Sequence, residues 1–255
     1  DLARLQMPDD DSPRPIVLDD EVEHLGAGEH DHPAGMDLPG IHPCWTMDDA
    51  RAIQKLATKG ARVLQMGAGF IGCIIMEALA ARGVKLTVVE MGDRMVPRMM
   101  GPTAGGMIKD WCEMKGVRVF TGTRVEAIEP QAPLRVKLSN GQQLECDLVI
   151  SATGVKPNIG FLENTDVKCL LGVLTDEHMQ TSVQGIYAAG DCAEALDIAS
   201  GKTIVSAIQP NAADQAYVAA MNMVGRGARL KGVTQINVLD TLGLVSTSFG
   251  DWQGV

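Results

Sequence analysis

The hexapeptide GAGFIG, residues 67–72, constrains the fold of this 255-residue chain more than any other feature. The apolar stretch ARVLQMG before it predicts a buried strand, and GFIGCIIMEALAARG after it predicts a helix that ends near Gly83. KLTVVE then predicts a second buried strand. Strand, helix and strand in about thirty residues make a βαβ unit, whose parallel strands are covered on both faces.

The glycines of this hexapeptide, the glycine turn below, fit the G-x-G-x-x-G pattern of a dinucleotide-binding turn. Gly67 permits the tight turn, Gly69 lets the backbone approach a pyrophosphate, and Gly72 allows helix and strand to pack closely. Phe70 and Ile71 begin the helix, whose first N–H groups have no partner within the helix and can bind phosphate. A glycine-rich turn in another α/β fold is the alternative.

Glu90 ends the second predicted strand, 18 residues after Gly72, close to the spacing of about 20 expected for a dinucleotide site. Its carboxylate would accept hydrogen bonds from the adenosine ribose hydroxyls and would repel a 2′-phosphate. We therefore expect NAD(H) rather than NADP(H). Arg94 could serve a 2′-phosphate, but the carboxylate is expected to dominate.

The rest of the chain predicts more β-structure. RVEAIEP, LRVKLSNG and QQLECDLVISATG indicate a β-meander with a hairpin at Asn140-Gly141. The last buried strand ends in SATG, at Gly154. GIYAAGD predicts a short buried strand that ends on Gly190 and Asp191 and turns into a helix. NAADQAYVAAMNMVG predicts a long helix, and QINVLDTLGLVSTSFG predicts β-structure.

Charge and composition exclude some functions. Thirty-two acidic against 22 basic residues give a net charge of −10, which argues against nucleic acid or an anionic membrane as partner. The apolar stretch 63–81 fits a strand, turn and helix better than a membrane span. Six scattered cysteines indicate reduced thiols in the cytoplasm. We expect no metal, because His24, His30 and His32 lie in an acidic stretch that reads as a polar loop.

Several motifs in one order are similar to those of a known family. They are DLPGIH…DDARAI, VLQMGAGFIG…LTVVE, DRMVPRM, DLVISATGVKPN, TSVQGIYAAGDCAE and PNAADQAYVAAMNM. With this order and spacing the chain resembles the FAD-dependent pyridine nucleotide-disulfide oxidoreductases, from about Leu38 to about Gly225. That family includes NADH oxidases, ferredoxin and rubredoxin reductases, and the nitrite reductase flavin module.

The resemblance implies an α/β chain with a Rossmann-like, three-layer FAD/NAD(P)-binding fold and a β-meander in the NAD domain. Residues 1–43 would be an extended or linker remnant of the FAD domain, and 44–155 the NAD(H)-binding domain. Residues 156–226 would be the second half of the FAD domain, and 227–255 the start of a truncated C-terminal domain.

The resemblance also implies two cofactors, FAD and NAD(H). Gly154 would lie on the nicotinamide side. Asp191 would bond a hydroxyl of the flavin ribityl chain, and Gly190 would allow close approach. The helix after Asp191 would point at FAD, and the helix near Asn211 would direct N–H groups towards the isoalloxazine ring.

Two departures from the family matter. Nothing in residues 1–62 resembles the first glycine motif that holds the ADP part of FAD, so we expect a segment of a longer protein. Ile74 stands where relatives usually carry a glutamate near nicotinamide and flavin. Catalytic residues and a redox-active cysteine stay unassigned, and Cys192 is interpreted as an inert thiol at the start of a helix.

The sequence thus predicts a segment of an NADH-dependent flavoprotein oxidoreductase that passes hydride from NADH to FAD N5 and on to an unknown acceptor. A non-catalytic NAD-binding sensor, or one subunit of a split flavoprotein, is the alternative. The expected partners are NADH and the acceptor, and the parent could form a homodimer through its C-terminal domain.

Overall fold

The computed structural model describes residues 22–24, by backbone alone, and 33–252. Most of the predicted linker 1–43, with His30 and His32, therefore lies outside the described residues. Among those described, residues 157–234 form one compact unit, while residues 23–24, 33–156 and 235–252 form the other. The four domain boundaries expected from the sequence stay a prediction.

The elements have the following bounds. The helices are α1 (Met47–Leu56), α2 (Phe70–Ala81), α3 (Pro102–Met114) and α4 (Gln209–Met223). The strands are β1 (Val22–His24), β2 (Ile41–Pro43), β3 (Arg62–Met66), β4 (Lys85–Val89), β5 (Arg118–Phe120), β6 (Val125–Glu129), β7 (Leu134–Leu138), β8 (Gln143–Cys146), β9 (Leu148–Ser151), β10 (Val155–Pro157), β11 (Val173–Leu174), β12 (Ala193–Leu196), β13 (Thr203–Val205), β14 (Ile236–Thr241) and β15 (Leu244–Phe249).

A parallel sheet of order β2-β9-β3-β4-β5 organises the larger unit. Its central strands are runs of apolar residues buried on both faces, as parallel strands between two layers must be. These three central strands, β9, β3 and β4, end at the same edge of the sheet, and the loops that follow them meet there.

Two hydrophobic clusters cover the faces of this sheet and make three layers. Val63 and Leu86 pack with residues of α1, α2 and α3 on one face. Leu64 and Met66 point to the face of β3 opposite Val63, and they pack against the meander β6-β7-β8. The predicted α/β, Rossmann-like three-layer fold with a β-meander is confirmed.

Local sequence signals explain where several elements begin. Thr46 is the N-cap of α1, with its Oγ1 accepting the Asp49 N–H at 3.1 Å and the Asp49 carboxylate accepting the Thr46 N–H at 2.7 Å. Asn140-Gly141 lies in the turn between β7 and β8, where Gly141 has φ +81°. The turn agrees with the hairpin that the sequence predicts.

The prediction for residues 186–191 is wrong. Tyr187 makes only an isolated bridge to Gln180, and no helix follows Asp191, because β12 begins at Ala193. The segment after Asp191 is rich in helix-favouring alanine, but it pairs in parallel with β11 and antiparallel with β13. Tertiary pairing therefore overrides local propensity.

The hairpin β14-β15 belongs to the larger unit. Leu239 is buried in the cluster that contains α2, and the Trp111 indole N–H of α3 lies 3.1 Å from the carbonyl oxygen of Thr241. The β-structure predicted here is confirmed, while its packing against these helices carries no signal in the sequence. No helix in the described part of the chain is long and apolar enough to cross a membrane.

An ion pair at the amino end of β3 ties two strands of the sheet together. The Arg62 guanidinium donates to both carboxylate oxygens of Asp147, at 3.1 and 2.7 Å, and also contacts Glu145. These hydrogen bonds lower the pKa of Asp147 below its ordinary value. The pair is about 40% exposed, which limits its contribution to stability.

We predict that Asp147→Asn lowers the free energy of unfolding at neutral pH by about 0.5–1 kcal/mol. Because the folded-state pKa is lowered, the stabilisation is present above the unfolded-state pKa of about 3.9 and is lost as pH falls through the folded value. Urea titrations at pH about 7 and about 3 should therefore show that the difference in unfolding free energy between wild type and Asp147→Asn is smaller at the lower pH. Asp48→Asn, in an exposed ion pair with Arg51, is the control. An equal difference at both pH values would contradict this account.

Candidate functional site

Residues that follow β3, β4 and β9 meet at the carboxyl edge of the parallel sheet, where ligands bind in open α/β sheets. They line a cavity of about 110 Å³, the turn cavity, formed by Gly67, Gly69, Ile71, Glu90, residues 96–99, Ala152, Thr153 and Gly154. A second cavity of about 560 Å³, the meander cavity, extends from it past Met91 and residues 123–126 to Pro33 and Met36. Gly67, Arg98 and Thr153 line both.

The glycine turn is shaped by close backbone packing. Gly67 has φ +94°, and a Cβ there would lie 2.3 Å from the carbonyl oxygen of Ala152. A Cβ on Gly72 would lie 2.7 Å from both Gln65 Nε2 and the Gly67 carbonyl oxygen. A Cβ on Gly69 would meet nothing within 4 Å. Gly67 and Gly72 thus serve the fold, and Gly69 leaves its side of the turn open for a ligand.

Gln65 is a buried amide beneath this turn. Its Nε2 donates to the Gly67 carbonyl oxygen at 2.8 Å, while its Oε1 has no partner among the described residues. The side chain is fully buried on the helix side of β3, where apolar neighbours prevail. The sequence reasoning missed it, although a glutamine inside an apolar strand is itself a signal of a specific hydrogen bond.

The N-terminus of α2 faces the turn cavity and is open to an anion. No side chain caps it and its first turn carries no acidic residue. Ile71 lines the cavity, and Phe70 is partly exposed at the start of the helix. The free N–H groups of this turn and the space beside Gly69 fit the pyrophosphate of a dinucleotide.

The Glu90 carboxylate joins the glycine turn to the loop after β4. Oε2 accepts the Ala68 N–H at 2.7 Å, and Oε1 accepts the Gly92 N–H at 2.7 Å. Each carboxylate oxygen can accept a second hydrogen bond, so capacity remains for ribose hydroxyls. Glu90 therefore has a structural task beside the role in ribose binding that the sequence predicts.

Arg94 is engaged within its own loop. Its Nε donates to the Met100 carbonyl oxygen at 2.8 Å, and Nη1 pairs with Asp93 at 2.7 Å. Only 19% of the side chain is exposed. The guanidinium therefore braces residues 93–100 and is not directed at the ribose position as a free cation.

Gly190 and Asp191 lie in the other unit, where a buried amide supports them. The Gly190 N–H donates to Gln215 Oε1 of α4 at 2.7 Å, and Gly190 has φ +88°. Gln215 is 1% exposed, and its Nε2 has no partner among the described residues. A buried donor of this kind beside the half-buried Asp191 fits a ligand that presents hydrogen-bond acceptors, as a flavin does.

Burial disfavours the reactive thiolate form of five of the six cysteines. All six are free, and burial raises the pKa of Cys73 and Cys146 to about 12 and of Cys112 to about 11. Cys192 is 3% exposed and its Sγ lies 3.6 Å from the Ala189 carbonyl oxygen, before a strand rather than at a helix start. Among the residues that the structure describes, no group of three or more potential ligands could hold a metal.

Comparisons with known proteins bear on the family and fold of this chain. Residues 25–221 match the sequence profile of the pyridine nucleotide-disulphide oxidoreductase family. The NADH-dependent phenylglyoxylate dehydrogenase subunit epsilon of Aromatoleum evansii is 34% identical over 75% of this chain and 45% of its own length. The NADH oxidase of Methanocaldococcus jannaschii is 32% identical over 84% of this chain and 50% of its own.

A solved structure shows the same fold. The NAD-dependent persulfide reductase of A. fulgidus superposes with a TM-score of 0.77 at 33% identity, over 82% of this chain and 39% of that one. The chain thus spans about half or less of the length of these proteins.

We predict opposite effects for two glycine substitutions. Gly72→Ala places a methyl 2.7 Å from Gln65 Nε2 and the Gly67 carbonyl, which should destabilise the fold by about 1–3 kcal/mol. Gly106→Ala, within α3 where a Cβ meets nothing within 4 Å, should stabilise it by about 0.5–1 kcal/mol. Urea unfolding of both variants is the measurement. Equal stability of the Gly72→Ala variant and wild type would contradict the close contact.

Proposed function

Because this chain belongs to the pyridine nucleotide-disulphide oxidoreductase family, we propose that it forms the NAD(H)-binding region and part of the FAD-binding region of an NADH-dependent flavoprotein oxidoreductase. The turn cavity carries the proposal, since it joins an uncapped helix N-terminus, an open glycine and a carboxylate at one sheet edge. Relatives named NADH oxidase and NADH-dependent dehydrogenase subunit support it.

The dinucleotide lies along this edge in our proposal. Its pyrophosphate contacts the N-terminus of α2 beside Gly69, where backbone N–H groups supply hydrogen bonds without a net positive charge. Its adenosine ribose lies at Glu90, which orients the hydroxyls and excludes a 2′-phosphate. Its nicotinamide lies on the side of Thr153 and Gly154.

The other unit holds the flavin in this proposal. Asp191 accepts a ribityl hydroxyl, and Gln215 fixes the Gly190 N–H with one end of its amide and offers its buried Nε2 with the other. The first turn of α4, which has no capping side chain and no acid, presents N–H groups to the ring. FAD, when bound, would supply the acceptor for the hydride of NADH at its N5 atom.

Ile74 favours the second candidate function. It lies on α2 one turn after Phe70 and is 49% exposed, so this position offers an apolar surface and no carboxylate. A protein that binds NAD without turnover, or one subunit of a split flavoprotein, could dispense with the acid found in relatives. One relative is itself named as a subunit of a larger enzyme.

The proposal also concerns the acceptor, assembly and location of the protein. Nothing in the described residues selects one electron acceptor, and a homodimer through the C-terminal region stays a proposal. The six free cysteines support a reducing compartment such as the cytoplasm.

The flavin content of the protein separates the two candidates. We expect the full-length protein to show flavin absorbance bands, which NADH bleaches under anaerobic conditions. Asp191→Ala should lower the bound flavin, because a ribityl hydrogen bond is lost. A colourless wild-type protein that binds NADH would overturn the enzyme and support the sensor.

Glu90→Gln tests the placement of the ribose. We expect the Kd for NADH to rise about tenfold, through the loss of charge-assisted hydrogen bonds, while the Kd for NADPH stays constant or falls. Titration calorimetry with both nucleotides gives the ratio of the two constants. Glu77→Gln, an exposed glutamate on α2, should leave both unchanged. An equal loss for NADH and NADPH would indicate damage to the turn alone and contradict this placement.

A further inference from the structure

Arg98 lines both the turn cavity and the meander cavity. We propose that its guanidinium binds the pyrophosphate of NAD(H), and that residues 91–100, the arginine loop, are built to hold it there. This inference rests on the proposed function. It adds a cationic contact that the glycine pattern does not predict.

The charges around the two cavities favour this assignment. In the turn cavity, Glu90 and Arg98 are the charged lining residues. In the meander cavity, Arg124 lies 3.9 Å from Glu126, whereas the exposed Arg98 has no ion pair among the described residues. The helix N–H groups can bind a phosphate without a cation, but in a chain of net charge −10 a local cation strengthens the binding of an anionic ligand. Arg98 is the one in position to supply it.

The arginine loop is fixed by bonds that leave Arg98 itself unused. Gly92 donates to Glu90, the Val96 N–H donates to the Ala68 carbonyl oxygen at 2.9 Å, and Arg94 donates to the Met100 carbonyl at 2.8 Å. The loop is therefore anchored to the glycine turn and closed on itself. The two arginines of the loop therefore differ in their contacts: Arg94 is hydrogen-bonded within the loop, whereas Arg98 lines the cavities.

Val96 shows that the loop is held in an unfavourable conformation. It has φ +48°, a backbone region that β-branched residues rarely adopt. Its side chain is fully buried, and its carbonyl oxygen accepts the N–H groups of Met99 and Met100 at 2.9 and 3.0 Å. Strain retained under such constraint concentrates at functional sites. Here the reversal at Val96 sends Pro97 and Arg98 to the wall of the turn cavity.

The position of Arg98 selects the pyrophosphate over a 2′-phosphate. Arg98 shares the turn cavity with Gly69 and Ile71, at the N-terminus of α2. A guanidinium here and the helix N–H groups would contact one anion from two sides. The ribose side of the same cavity presents the Glu90 carboxylate, which opposes a phosphate.

The test compares Arg98→Gln, Arg98→Lys and wild type in titrations with NADH, NADPH and ADP-ribose, all of which carry the pyrophosphate. Arg98→Gln should raise all three Kd values by a common factor of about ten, and Arg98→Lys should recover part of the loss. The decline of NADH affinity between about 0.05 and 0.5 M NaCl should also be shallower in Arg98→Gln. Arg51→Gln, on the exposed face of α1, is the control and should match wild type.

Three results would overturn the inference. An unchanged Kd for NADH in Arg98→Gln removes the contact while leaving the proposed function intact. A loss confined to NADPH assigns the guanidinium to a 2′-phosphate instead. Failure of the wild-type chain to bind NADH overturns the proposed function together with the inference. Arg98 is exposed, so we expect its substitution to leave folding unaffected. Equal thermal unfolding midpoints of wild type and the variants would confirm this.

Discussion

The carboxylate of Glu90 and the two backbone N–H groups that it accepts hold the site together. One comes from Ala68 in the glycine turn and the other from Gly92 in the arginine loop, each at 2.7 Å. A carboxylate at the end of a buried strand needs donors, and here the backbone supplies them without a ligand. The turn and the loop are thereby fixed relative to each other at the carboxyl edge of the sheet.

The cavities follow from this arrangement. With the loop anchored, Val96 is kept in its left-handed conformation and residues 97–99 form a wall opposite α2. Gly67 approaches the backbone after β9, which closes the floor of the turn cavity. When a site is already organised before binding, less free energy is lost in ordering loops as the ligand binds. The smaller unit is organised in a similar way, because Gln215 accepts the Gly190 N–H and fixes the turn there.

The sequence predicted those parts of the fold that local patterns encode. The elements of the βαβ unit and the Asn140-Gly141 turn depend on residues close in sequence, so their signals are strong. The segment at Asp191 was predicted wrongly because pairing between β11 and β12, distant in sequence, decides its conformation. The packing of β14-β15 against α2 and α3 is equally non-local.

The candidate site was predictable only in outline. Gly67, Gly69, Ile71 and Glu90, which belong to the dinucleotide pattern, line one cavity together with Gly154, which the family resemblance adds. The bonds from Glu90 to the backbone, the brace at Arg94 and the exposure of Arg98 depend on how one loop folds back on the turn. No spacing rule distinguishes the two arginines, because their roles differ only in where each guanidinium points.

A crystal structure of this chain with bound NAD⁺ would test the central claim most directly. Our account predicts the pyrophosphate at the first turn of α2 beside Gly69, the adenosine ribose hydroxyls at the Glu90 carboxylate, and the nicotinamide on the side of Gly154. Dinucleotide bound away from the carboxyl edge of the parallel sheet, or no bound dinucleotide at saturating concentration, would contradict it.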